Sequence, residues 1–257
     1  VPLASSLSQP QMDNLLAYIK LGKPVLLLDD PYPTTVRGGS PNEPKRAPGG
    51  MFGQQPPREA KGNIAQFCRQ LGIAWDTTEV VWDTWNPHSA IQVSREVVFV
   101  GSGAGAPDAI NQLNPISSQI QEIVLILAGR VKDAGTPGFT FTPLLKAGAE
   151  HGIRPYFEVR SSPVGRYEPL TGARAAEKGG YALAARVTSS VETGKVNLVF
   201  IADIDLVSDQ FFELRKNPWE ALEFDNVTLV LNAVDTLAGD DAVVQLRKRR
   251  PRHRTLE

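Results

Sequence analysis

The chain has 257 residues, 27 Lys and Arg against 28 Asp and Glu, a formal charge of -1 and a mean hydropathy of -0.18. That length supplies a core for one large domain or two small ones, and the charge balance removes any global case for nucleic-acid binding. The lone Cys68 excludes a disulfide framework and a paired-cysteine zinc site, and no apolar run reaches the 18 or so residues of a membrane span.

The chain starts at Val1 with no signal peptide, which reads as a processed soluble piece of a longer protein. Ser8 is placed to cap a helix in which Leu15, Leu16, Tyr18 and Ile19 recur at three-and-four spacing, with Gly22 as its stop. The run VLLLDD then reads as a short parallel strand covered on both sides, delivering Asp29 and Asp30 to the carboxyl edge of a sheet. Over residues 31–58, twelve of 28 positions are Pro or Gly, which predicts a long mobile loop. A helix near 59–72 sets Ile64, Phe67, Cys68 and Leu71 on one face.

EVVWDTW, REVVFVG, EIVLILAG and TFTPLL follow as strand-like runs, making 79–145 a strand-rich extension. Residues 151–180 are weakly patterned. YALAARVTSS alternates like a half-buried strand, KVNLVFIAD reads as a buried one, VSDQFFELRK begins a helix, and NVTLVLNAVDTLAG is a helix apolar on nearly every side, stopped at Gly239. Residues 246–257 read as a basic linker, broken by Pro251, with a place near anionic lipid favoured over nucleic acid. Strands alternating with helices predict an α/β fold with a mainly parallel, Rossmann-like sheet sandwiched by helices.

Four patterns carry chemistry on paper. Gly101, Gly103 and Ala106 fit G-x-G-x-x-A after a strand, but Pro107 and Asp108 follow in place of a clear helix and the next strand ends without a carboxylate. A glycine loop is the better account. Asp203, Asp205 and Asp209 follow a strand, where carboxylates hold Mg²⁺ or end strands and cap helices. Cys68 lies on an apolar helix face, and His88, His151 and His253 lie in loops or tail with no G-x-S-x-G elbow. Trp75, Trp82, Trp85 and Tyr167 offer rings for glycan stacking, though core or rim packing is the commoner use.

In the C-terminal third, a strand ends in the Asp-rich turn of Asp203 and Asp205. A helix bearing Asn226 and Asn232 closes on Leu237 to Asp240, and the run Leu246 to Arg249 follows. Together with LSQPQMDNLLAYIKLGKPVLLLDDP at the start, including Asp30 and Pro31, this order resembles the GldG-type, gliding-motility auxiliary component of ABC-2 transport systems. NIAQFCRQLGIAW and NPISSQIQEIVLILAG fit the same pattern, while 31–58 and 151–180 fit it least.

The resemblance implies one extracytoplasmic domain over 1–257, similar to the glutamine-amidotransferase-like fold without its cysteine nucleophile. It also implies a periplasmic position at the inner membrane, flanking membrane segments, and ABC-2 permease and ATPase subunits as partners. It leaves open whether the first strands of the sheet are present. The expected function is non-enzymatic binding or scaffolding, with no catalytic residue, cofactor or metal. Asp29, Asp30, Asp203, Asp205 and Asn232 are the expected ligand or partner edge. The alternatives are a metal-dependent enzyme acting through Asp203 and Asp205, and a glycan-binding module.

Overall fold

The computed structural model describes residues 1–36, 38–45, 60–88, 92–103, 106–161, 181–189, 195–216 and 224–247. The first helix, α1 (Gln9–Lys20), begins in a capping box between Ser8 and Gln11 and buries Met12, Leu16 and Ile19. It turns directly into β1 (Leu21–Leu28) through Gly22, whose φ of 78° is one that L side chains rarely adopt. Helix α2 (Ile64–Arg69) is shorter than its pattern suggests, but Ile64, Phe67, Cys68 and Leu71 are all buried. The short strand β2 (Ile73–Trp75) follows.

Next come β3 (Glu79–Asp83), β4 (Val97–Gly101), β5 (Glu122–Ile126), β6 (Val131–Asp133) and β7 (Phe139–Lys146). Residues 151–161, weakly patterned in sequence, carry β8 (His151–Pro155) and α3 (Tyr156–Ser161). Strands β9 (Ala182–Ser189) and β10 (Lys195–Ile201) lead to α4 (Asp209–Lys216), α5 (Asn226–Ala238) and α6 (Asp241–Arg247). Gly239 closes α5 with φ 82°. The segments 46–58, 162–180 and 248–257, which hold much of the expected loop, the second weak region and most of the basic linker, lie outside the described residues.

The main sheet has six strands, in the order β1-β10-β9-β6-β2, with β7 also paired to β9. Only β1 and β10 run parallel, in register from Pro24 opposite Asn197 to Leu28 opposite Ile201. The pairings β10–β9, β9–β7, β9–β6 and β6–β2 are antiparallel. Two further antiparallel ribbons, β3–β8 and β4–β5, stand apart from it. The expected mainly parallel, Rossmann-like sheet sandwiched by helices is therefore corrected to a mixed sheet accompanied by antiparallel ribbons.

The physical reason is that an all-apolar run reports burial on both faces and is silent on strand direction. In β10, Val196, Leu198 and Phe200 join one core, while Val199 and Ile201 join the other. The first core is built with α1 and α2. The second is built with Leu229, Ala233 and Leu237 of α5 and with Val98, Val100, Ile123 and Leu125 of the β4–β5 ribbon. A ribbon thus stands among the elements that cover the second face, where helices alone were expected. Its strands are joined by loop residues among those described, which removes the crossover helix a parallel pair requires.

Candidate acidic site at the ends of the first and last strands

Because Leu28 lies opposite Ile201, the chain leaving β1 and the chain leaving β10 emerge side by side. Asp30, Asp203 and Asp205 converge there, each buried, with one ligand atom from each within 4.8 Å of the others. Asp205 accepts four hydrogen bonds: Thr34 N at 2.8 Å and Thr34 Oγ1 at 2.7 Å on Oδ2, Thr35 N at 3.1 Å and Thr35 Oγ1 at 2.6 Å on Oδ1. Asp203 accepts Asp205 N at 2.6 Å, Leu206 N at 3.3 Å and, from strand β5, Ile126 N at 2.7 Å. Asp30 accepts Tyr32 N at 2.7 Å and Ile204 N at 3.2 Å.

A carboxylate has about four acceptor positions, so Asp205 is saturated while Asp30 and Asp203 retain capacity. Burial, and after it the neighbouring carboxylates, push Asp203 up to about 8 and Asp30 well above its ordinary value. Both trends favour a proton within the cluster at neutral pH. As a set, the three carboxylates are able to store a proton or to draw a divalent cation. What they visibly do is tie the 30–35 segment, the 203–206 turn and the start of the β5 exit to one point.

Asp29 points elsewhere. It accepts Ser5 N at 2.9 Å and Ser5 Oγ at 2.7 Å, and burial raises its carboxyl to about 6. Asn232 is not at this edge either: from the buried side of α5 its Nδ2 donates to Ile116 O at 3.1 Å. Asn226 at the start of α5 mimics a strand neighbour, accepting Val124 N at 3.0 Å and donating to Val124 O at 2.7 Å. The residues that complete the acidic knot, Thr34 and Thr35, and Ser5, which holds Asp29, sit in segments whose sequence has no period to mark them.

The remaining patterns resolve into packing. Gly101 and Gly103 lie under Trp85, whose ring carbons would stand 2.8 and 2.9 Å from Cβ atoms built at those positions, and no helix follows among the described residues. Cys68 is buried and its thiol is pushed up by burial, so it is a packing residue. His151 is buried, its Nδ1 2.7 Å from Gly148 O and its ring edge-on to Tyr181. His88 pairs with Glu122 at 2.6 Å among Phe99 and Phe224. Trp75 is wedged against Phe200 and Gly129, and Trp82 lies over Gly152. Instead of a stacking platform, Trp75 and Trp82 are buried and Trp85 is half-buried. His253 and Tyr167 lie outside the described residues.

No helix among the described residues is long and apolar enough to cross a membrane. Neither a curated protein nor a solved structure matches the chain. A family model does, described as an ABC-type uncharacterized transport system, and it spans residues 3–233.

Proposed function

From the premise that the chain belongs to the ABC-type uncharacterized transport system family, we propose that it is a non-enzymatic binding or scaffolding domain of an auxiliary subunit of an ABC-2 type transporter. In this reading the domain is of the GldG, gliding-motility type. It works on the extracytoplasmic side of the inner membrane beside a permease and an ATPase. The observation that carries the reading is how the most chemical-looking cluster is used. Asp205 spends four acceptor positions on Thr34 and Thr35, and Asp203 spends three on backbone N–H groups. Carboxylates committed in this way hold chain segments together and are poorly placed to attack a substrate.

The test is co-purification of the parent polypeptide from detergent-solubilised membranes. Recovery of the permease and ATPase of the same system with it is the expected result. Clean separation of the three under conditions that keep the permease–ATPase pair intact rules the reading out.

A second reading rests on the closeness of Asp30, Asp203 and Asp205, whose ligand atoms fall within 4.8 Å of one another. That is a metal-dependent enzyme working at this edge. Calorimetry with Mg²⁺, Mn²⁺ and Ca²⁺ separates the two. Saturable binding lost in Asp30→Asn, together with turnover of a phosphate or sugar substrate, selects the enzyme.

A further inference from the structure

A cleft of about 290 Å³ opens between α2 and the β2–β6 end of the main sheet, with Arg69, Trp75, Asp76, Glu79, Arg130 and Lys132 on its walls. Its size is at the lower end of the range for small-molecule sites. The charges on its walls fall into two groups. Arg130 is buried, pairs through two nitrogens with the two Glu79 oxygens, and lies 4.5 Å over the Tyr181 ring. That pair is internally neutral and fixed in place.

Arg69 and Lys132 differ. Both are exposed, both face the cleft from opposite elements, and neither has an ion-pair partner among the described residues. The single remaining acid, Asp76, turns Oδ1 to Thr78 N at 2.9 Å and Thr78 Oγ1 at 2.7 Å.

Trp75 supplies a reporter on the cleft wall. It is one of the residues lining the cleft and is 5 % exposed, and its Nε1 is buried with no acceptor among the described residues. A buried N–H that gave up water without gaining an acceptor is a cost to the fold. With the Arg130–Glu79 pair neutral, Arg69 and Lys132 outweigh the one carboxylate left on the walls, Asp76, so the cleft is net positive and suits an anionic oxygen group.

We infer that this cleft binds a small molecule carrying an oxyanion, its charged oxygens lying between Arg69 and Lys132. A carboxylate and a phosphate share this chemistry. Arg69 offers a planar fork suited to either, and Lys132 a point charge. The cleft is lined by residues other than the acidic knot, so occupancy here does not involve Asp30, Asp203 or Asp205.

The test uses the full chain, ¹⁵N-labelled, with the indole resonance of Trp75 followed during titration with succinate in one arm and inorganic phosphate in another. Sodium chloride of matched ionic strength is the control. The expected result is a saturable shift of the Trp75 indole signal with one or both probes and none with chloride. In Arg69→Ala/Lys132→Ala the apparent Kd should rise about tenfold or more. Both substituted side chains are exposed, so the rest of the spectrum should stay in place, which confirms that the variant is folded. A response to succinate alone assigns a carboxylate ligand and to phosphate alone a phosphate. No saturable shift with either probe, or an unchanged affinity in the double variant, overturns the site.

Discussion

At Asp203 three N–H groups favour the ionised carboxylate, yet burial and the adjacent Asp205 outweigh them and carry the pKa from 3.8 to about 8. In the unfolded chain the same group ionises near its ordinary value. Between about pH 4 and pH 8 the folded state therefore holds a proton that the unfolded state has lost. Its contribution to stability is complete below about pH 4 and drains away as pH rises to about 8. Asp29, raised to about 6, acts in the same direction over the lower half of that window. Asp203→Asn should remove one proton's share of the slope, at most about 1.4 kcal/mol per pH unit. Urea unfolding of both proteins at pH 5 and pH 8 measures it, and equal slopes would refute the protonated cluster. Gly129 offers a steric test at the same scale, since a Cβ there would overlap the Trp75 ring and press on Pro31 Cδ at 3.3 Å. Gly129→Ala should cost about 1–3 kcal/mol in a thermal melt. An unchanged Tm would show that the indole is free to move aside.

Among the elements, α1 is the one whose start was read in full and whose face was read in part: Leu16 and Ile19 are buried, but Leu15 is half-buried and Tyr18 is exposed, and the helix ends at Lys20, two residues before Gly22. Ser8 and Gln11 form its capping box, and Met12, Leu16 and Ile19 form its buried stripe. Ser8→Ala should lower stability by about 1 kcal/mol, read from the shift of the urea midpoint at unchanged slope. Strands β1 and β10 were equally legible as buried runs. Their direction was not, since apolar side chains on both faces look the same whichever way a neighbour runs. The short strands β2 and β6 exist because Ile73 to Trp75 pair with Asp133 to Val131, a partnership of three residues that no local period announces. Helix α6 runs through Arg247 into the first residues of the stretch read as a basic linker. At the site, Asp30, Asp203 and Asp205 were legible because strand ends concentrate carboxylates. Thr34 and Thr35 were hidden in a loop whose proline and glycine content masked how firmly its first residues are held. Asn232 was expected at the acidic edge on the strength of the family resemblance alone, and here it donates to the carbonyl of Ile116 from the buried side of α5.

For the molecule as a whole, the proposed extracytoplasmic position is open to a direct check. Leu113 is 97 % exposed and the native Cys68 is buried, so Leu113→Cys introduces one accessible thiol on a quiet background. In cells with a permeabilised outer envelope and an intact inner membrane, a charged maleimide should label that thiol in the parent polypeptide. Labelling only after lysis would put the domain on the other side. One pairing also governs how the domain comes into being. Strand β1 stands at one end of the main sheet, and its parallel partner β10 follows it by some 170 residues, from Leu28 to Ile201. At about 5–20 residues per second of synthesis, the first strand leaves the ribosome on the order of ten to thirty seconds before its partner exists. Through that interval Val25, Leu27 and Leu28 are a sticky, unclaimed edge, and a nascent chain in this condition is still slack enough to be threaded through a secretion channel or seized by a chaperone.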